Sequence, residues 1–225
     1  METSVKSFSI PRTQPLRTPH RWLLALIMIT IITVGWSYPL LGFGVPVAML
    51  VGMAGGLYRG RYVCGNICPR GSFFDTFFRF VSGSRPVPAI LQNLRFRWIV
   101  MGFLMTMMVF QISRNPGDPM HWGRVFWFMC AATTTLGVVL GLIYRARTWC
   151  TFCPVGTMAN AIGGGKEQML ISVACRSCKI CDKSCPMGLE ISDYRETGLI
   201  PHRDCIKCES CHAACPSNAL SWPQN

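Results

Sequence analysis

Acidic side chains are scarce in this chain. Ten Asp and Glu face 22 Lys and Arg among 225 residues, and no charged residue interrupts 22–58, 98–113 or 125–144. Apolar runs without ionisable groups offer no ion relay, which argues against an ion pump working alone. Histidine is rarer still, at four residues, and none lies in those runs. Haem held by paired histidines inside a bilayer is therefore implausible. Phosphate-binding loops are missing as well: Gly163-Gly164-Gly165-Lys166-Glu167 lacks the earlier glycine and the hydroxyl residue of a Walker A loop. No dinucleotide fingerprint follows an expected strand. The glycine run reads instead as a flexible linker.

Apolar surface and basic charge are abundant, and one flanks the other. Half of the residues are hydrophobic, with thirteen Met beside thirteen Phe, and the mean hydropathy is positive. Such a composition places part of the chain in lipid. Residues 59–97 carry seven Arg against Asp75 alone, residues 1–21 carry four basic residues against Glu2, and beyond 148 seven basic residues meet seven acidic ones. The positive excess thus sits beside the apolar runs and not on a folded domain. That is the pattern of membrane topology and speaks against a nucleic-acid partner.

The uncharged run from Trp22 to Tyr58 exceeds the ~20 residues of one span. It reads as two helices, about 22–40 and 45–58, joined around Pro39, Gly42, Gly44 and Pro46. The run is too long for the apolar part of a cleaved signal peptide and reads as a retained anchor. Trp98–Ser113 and Val125–Tyr144 supply two more helices, linked by the turn-rich 114–124. Basic flanks put 1–21, 59–97 and everything after 145 on the cytoplasmic side, with 41–44 and 114–124 outside. Phe73, Phe74, Phe77, Phe78 and Val81 recur at helical spacing opposite Asp75, Thr76 and Arg79, as in an interfacial amphipathic helix.

Near the end the chain reads Cys175-x2-Cys178-x2-Cys181-x3-Cys185-Pro186, then Cys205-x2-Cys208-x2-Cys211-x3-Cys215-Pro216. Three cysteines on a tight loop aim their thiolates at one iron–sulfur cube, and the fourth ligates the other cluster. One [4Fe–4S] cluster then takes Cys175, Cys178, Cys181 and Cys215, and a second takes Cys185, Cys205, Cys208 and Cys211. A zinc ribbon would need paired knuckles, not triplets. The string Cys208-Glu-Ser-Cys211-His212 fits haem attachment but would strip a cluster of two ligands. Disulfides are unsuited to this spacing in a reducing cytosol.

A second cysteine system lies just past the second and fourth expected helices. Arg61-x2-Cys64-x3-Cys68-Pro69-x-Gly71-Ser72 and Arg147-x2-Cys150-x2-Cys153-Pro154-x-Gly156-Thr157 share their order of residues, and each closes a hairpin. This is an internal repeat of helix, helix and Cys-Pro. Each pair alone offers too few thiolates for a cluster. Hairpins packed about a pseudo-twofold axis would bring Cys64, Cys68, Cys150 and Cys153 together as a third redox or metal centre. Cys130, alone in the last helix, reads as a small buried hydrophobe.

Four membrane helices, two Cys-Pro motifs and a C-terminal two-cluster ferredoxin segment resemble the NapH family of membrane iron–sulfur subunits, and the C-terminal half of NosR. The family pattern is C-x3-C-P at both membrane sites; Cys64 and Cys68 keep it, while Cys150 and Cys153 are one residue closer. The expected fold is an α-helical membrane protein with a small α+β bacterial-type ferredoxin domain. Its parts would be a cytoplasmic segment 1–21, a four-helix membrane domain 22–165 and a two-cluster domain 166–225. The resemblance implies electron transfer between the quinone pool and a redox partner subunit, in the bacterial inner membrane with both termini cytoplasmic. Asp118, His121 and Trp122 on the outer loop are candidates for quinone contact. The rival expectation, from similar polyferredoxins such as CcoG, is copper reduction or delivery at the four membrane cysteines, during assembly of a respiratory enzyme. A third is redox sensing for a partner.

Overall fold

The computed structural model describes residues 19–223 apart from Arg79 and Ser84. The expected segment 1–21 lies, up to residue 18, outside the described residues, as does Arg79 of the amphipathic reading. Helix α1 (Pro19–Val34) ends before residue 40. Gly35 abuts the Trp127 ring, and Tyr38, at φ −120 and ψ 83, takes the extended backbone that a following proline favours. A tight turn at Pro39–Phe43 leads into α2 (Gly44–Arg59). Then come α3 (Tyr62–Asn66) and α4 (Pro69–Phe73), which widens into a π turn at Phe74–Phe78.

After α5 (Ala89–Gln92), the second hairpin begins at α6 (Leu94–Ser113) and returns along α7 (Pro119–Ile143). Both helices start upstream of where the apolar runs begin, because caps set helix starts. The Asn93 side chain accepts from Arg95 N at 3.0 Å, and Asp118 accepts from Met120 N at 2.9 Å, with Pro119 in the first turn. Helices α8 (Thr148–Phe152) and α9 (Pro154–Gly163) repeat the α3–α4 arrangement. Three stretches, Pro39–Arg59, Leu94–Ser113 and Pro119–Ile143, are long and apolar enough to cross a membrane; α1, with 16 residues, is shorter. Leu50, Phe103, Val109 and Val139 stand exposed on their surfaces.

The last segment is a small α+β unit. Strand β1 (Leu170–Ile171) pairs antiparallel with β2 (Leu220–Ser221), and the pair brackets α10 (Ile180–Ser184) and α11 (Ser210–Ala214). Its core of Met169, Ile171, Met187, Ile200 and Leu220 is continuous with Cys64, Cys150 and Ala159 of the helical part.

Two expectations about connecting segments are corrected. The glycine run does not behave as a loose linker. Gly163 packs backbone to backbone on Gly56, Lys166 Nζ donates to Leu57 O, and Glu167 pairs with Arg59 at 3.1 Å. Nor does Phe73–Val81 lie as one amphipathic helix on a surface. Phe74 is fully buried against Gly137 and Trp149, and Asp75 is turned inward to two arginines, because α4 tucks beneath α1.

Candidate functional site

The two cysteine triplets fold alike. Ser177 and Lys207 before each middle cysteine, and Lys179 and Glu209 after it, hold left-handed backbones with φ of 50, 54, 57 and 59. A non-glycine residue there costs about 1–2 kcal/mol, a strain that persists where the surroundings impose it, as at binding sites. Each triplet runs into a one-turn helix, α10 or α11, and leaves through Cys-Pro. Leu189 N then donates to Cys185 Sγ and Ala219 N to Cys215 Sγ, each at 3.4 Å. Cys175, Cys178, Cys181 and Cys215 line one cavity; Cys185, Cys205, Cys208 and Cys211 line another. Each cavity therefore takes three cysteines from one triplet and the fourth from the other.

Burial pushes the Cys185 thiol up to about 12, and burial with the neighbouring Asp182 carboxylate does the same at Cys181. Thiols so placed stay protonated and inert until a metal displaces the proton. Among the described residues no His, Cys, Asp or Glu side chains form a group able to hold a single metal ion. Backbone donors on sulfur and four cysteines around a shared space fit the cluster geometry, which holds its ligands farther apart than a zinc shell with bonds of about 2.3 Å.

The helical repeat brings its Cys-Pro motifs face to face through crossed arginines. Arg147 of the second motif donates to Cys64 O of the first at 2.8 Å, while Arg61 of the first donates to Cys150 O of the second. Gly71 and Gly156, the glycines of Cys-Pro-x-Gly, make room for the crossing. A Cβ at Gly71 would strike the Arg147 guanidinium, and one at Gly156 that of Arg61. Each crossed arginine ends on a carboxylate shared with a second arginine from the start of a hairpin. Asp75 accepts from Arg147 at 2.8 and 2.6 Å and from Arg21 at 3.1 Å. Asp204 accepts from Arg61 at 2.8 Å and from both outer nitrogens of Arg97 at 2.7 Å. Burial opposes ionisation of Asp204, but donors from Arg97 and the charge of Arg61 outweigh it and hold its carboxyl below the usual range.

The two halves differ at one point. Asp75 lies seven residues past Cys68; the equivalent position past Cys153 is Asn160, whose amide donates to Asp204. The carboxylate missing from the second half is thus supplied by the residue before Cys205. Arg97, Asn160 and Asp204 went unmarked in the sequence reading, which took Arg21 only as a flank of the first helix and Asp75 only as the polar side of an amphipathic one. Their signals were the Arg-Trp pairs at 21–22 and 97–98 and the matched offset of Asp75 and Asn160 from Cys-Pro.

This charge network seats the second triplet on the first Cys-Pro motif of the helical repeat. Gly65, next to Cys64, lies directly under Ile206 O, where a Cβ would collide, and Asn66 Nδ2 donates to Lys207 O at 3.1 Å. Arg145 donates to Cys185 O at 2.7 Å. The Cys205–Cys211 loop is therefore the one packed against the first Cys-Pro motif, whereas Cys178 of the other set is exposed. Cys130 is buried as expected and lies under Arg70, 3.2 Å from its sulfur. In the 114–124 turn, Asp118 caps α7 by accepting from Met120 N. His121 Nε2 meets Gln111 O at 2.9 Å and Trp122 Nε1 donates to Asn115 O at 3.2 Å, so both fasten the α6–α7 turn.

Arranged in this way, the chain is an iron–sulfur protein built from ferredoxin-type modules. Residues 174–220 match the 4Fe-4S dicluster domain, and 41–88 together with 125–168 match the 4Fe-4S binding domain. It is 24% identical over 168 residues to an uncharacterized protein of Methanocaldococcus jannaschii, covering 72% of this chain and 64% of that relative. It is 22% identical over 186 residues to a second uncharacterized protein of that organism, covering 74% and 73%. The chain thus spans less than two thirds of the first relative's length. No solved structure matches it.

Proposed function

We propose that this chain is a membrane-anchored electron-transfer subunit of the NapH/NosR type, passing electrons between quinone and a redox partner subunit. One [4Fe–4S] cluster is ligated by Cys175, Cys178, Cys181 and Cys215, the other by Cys185, Cys205, Cys208 and Cys211. When bound, they supply reversible one-electron chemistry without moving atoms. The observation that carries the reading is the seating of the Cys205–Cys211 loop on Gly65, Asn66 and Arg61, directly past the end of an apolar helix. Four helices cross the inner membrane, with α1 completed by the turn that follows it, and the iron–sulfur segment is cytoplasmic. The exposed Cys178 marks the cluster that faces the partner.

A cavity of about 300 Å3 between the end of α2 and the second triplet is the better place for a quinone headgroup than the outer turn. Arg59, Tyr62, Glu167, Lys207, Glu209 and Trp222 line it. Two aromatic rings flank a flat ligand, cations donate to its carbonyls, carboxylates take its protons, and Cys208 lies between two of the lining residues. The test is quinol-driven reduction of the clusters in membranes with partner subunits present. Quinol should reduce the parent, Tyr62→Leu with Trp222→Leu should slow it, and His121→Leu should not. Clusters that quinol analogues neither reduce nor shift in potential would sink the quinone reading.

A further inference from the structure

We infer that the Cys175–Cys181 loop is a docking face for a partner protein that presents carboxylates, with Cys178 at its centre. The inference rests on the electron-transfer reading above and adds the chemistry of the partner's surface.

The two ligand loops share a backbone but not a surface. Position for position, Arg176 stands where the second loop has Ile206, Lys179 where it has Glu209 and Lys183 where it has Ala213. Ligation does not call for these cations, because the second loop keeps the same cysteine spacing without them. The basic residue of the second loop, Lys207, is 5% exposed and its ammonium donates to Lys166 O. Arg176, Lys179 and Lys183 are all exposed, as is Cys178 among them.

Nothing within the chain balances this charge. Asp182, the one acidic residue in 173–184, is engaged by the following turn, accepting from Ile191 N at 2.6 Å, Ser192 N at 2.9 Å and Ser192 Oγ at 2.5 Å. Arg195 reaches the loop at Ser177 Oγ, 3.5 Å away, and adds a fourth cation. Glu190, Asp193 and Glu196 lie in the segment that carries Arg195, yet none of the four cations forms an ion pair among the described residues. Unpaired cations around an exposed redox group attract an anionic surface and steer its approach. Val173, 97% exposed and two residues before Cys175, supplies the apolar contact that a charged rim surrounds in an interface.

The second loop shows the equivalent face covered. Ile206 O bears on Gly65 and Lys207 O accepts from Asn66 Nδ2 at 3.1 Å, so that loop is seated on the helical repeat. Arg176 and Ser177, the equivalents of Ile206 and Lys207, are exposed. A second copy of this chain is a poor occupant, because 22 basic residues against ten acidic ones repel a cationic face. A carboxylate-bearing protein fits it.

The test uses the anaerobically purified, reduced full chain and two probes: cytochrome c, whose surface is basic, and the same protein succinylated at its lysines, whose surface is acidic. One electron passes from a reduced cluster to ferric haem, which becomes ferrous, and the haem absorbance reports the rate. At low salt the succinylated form should be reduced about tenfold faster, and the difference should shrink as salt shortens the reach of charge. Arg176→Glu with Lys179→Glu should abolish the difference. Arg114→Glu with Arg124→Glu, the same change of net charge at the tip of the α6–α7 hairpin, should leave it. Lys179→Glu copies Glu209, which the second loop carries at φ 59, so iron content and the EPR of both clusters should hold. Arg195→Glu, outside the ligand loop, gives a second readout with a smaller loss. Native cytochrome c reduced as fast as its succinylated form, or equal losses from the two double variants, overturns the proposal. So does self-association that the loop variant abolishes, which would give the face to a second copy, and so does a difference erased by phosphatidylglycerol in a surrounding bilayer, which would give it to lipid headgroups. Quinol has no part in this assay. Failure of quinol-driven reduction beside the expected result sinks the quinone reading alone, and the reverse outcome sinks this one alone.

Discussion

Asp204→Asn removes one charge from a site where two buried guanidinium groups converge. The carboxylate takes both outer nitrogens of Arg97 at 2.7 Å and Arg61 at 2.8 Å, and those side chains are 4% and 0% exposed. Breaking such a pair from one side leaves buried charge uncompensated and costs about 3–5 kcal/mol. The exposed pair Arg59–Glu167, at 59% and 32%, is worth about 0–1 kcal/mol and serves as control. Asp204 sits on the iron–sulfur segment and its arginines on the hairpins, so the loss falls on the seating of one upon the other. Limited proteolysis in membranes reads that opening directly, at the chain between Gly163 and Met169. Where cleavage follows the open population, 3–5 kcal/mol means faster cutting by about two to four powers of ten. Glu167→Gln should change it a few-fold at most. Equal rates for Asp204→Asn and Glu167→Gln would refute the network as the fastening. The pH dependence has a fixed sign: the folded-state carboxyl titrates below its unfolded value. Its contribution is complete above about pH 4 and is lost as pH falls through the folded value.

Two further outcomes follow from the backbone. Gly65→Val places carbon atoms against Ile206 O, and overpacking of that kind costs about 1–3 kcal/mol; electron exchange with the Cys205–Cys211 cluster should slow in single-turnover reduction while iron content holds. At Lys179, φ 57 favours glycine, so Lys179→Gly should leave the cluster as air-stable or more so, whereas Lys179→Val should accelerate its loss, followed by bleaching of the iron–sulfur absorbance.

The parts that were legible in the sequence are those fixed locally. Cysteines at Cys175, Cys178 and Cys181 declare a ligand loop because spacing alone aims them, and the fourth ligand follows from the rule of exchange. Helix existence was legible from uncharged length, but helix bounds were not, because Asn93 and Asp118 set two starts by capping and α1 ends early, before Gly35. The repeat of Cys-Pro motifs was visible; its crossing was not. Arg61 reaching Cys150 O is a contact over 89 residues, and nothing near either residue records it. Phe73–Val81 misled for a related reason. Its helical period was real, but the apolar face that suggested lipid is, at Phe74, turned onto Gly137.

The asymmetry between Asp75 and Asn160 suggests how the iron–sulfur segment is tied to the repeat. In the first half the carboxylate that gathers two arginines belongs to the half itself; in the second it is borrowed from Asp204, with Asn160 donating to it. Asn160→Asp alone should therefore destabilise, because it sets a second carboxylate beside Asp204 and removes a donor. Combined with Asp204→Asn, it exchanges the two groups and restores one carboxylate and one amide among the same arginines. The double variant should recover a large part of what either single one loses, a coupling of about 0.5–3 kcal/mol between neighbours of this kind. The measurement is the proteolytic opening used for Asp204→Asn, on all four corners of the cycle. Losses that simply add would mean that the arginines require the carboxylate at position 204 itself, and that the kinship of Asp75 and Asn160 is one of position alone. Recovery would mean that seating the iron–sulfur segment completes a symmetric charge site that the helical repeat leaves one carboxylate short.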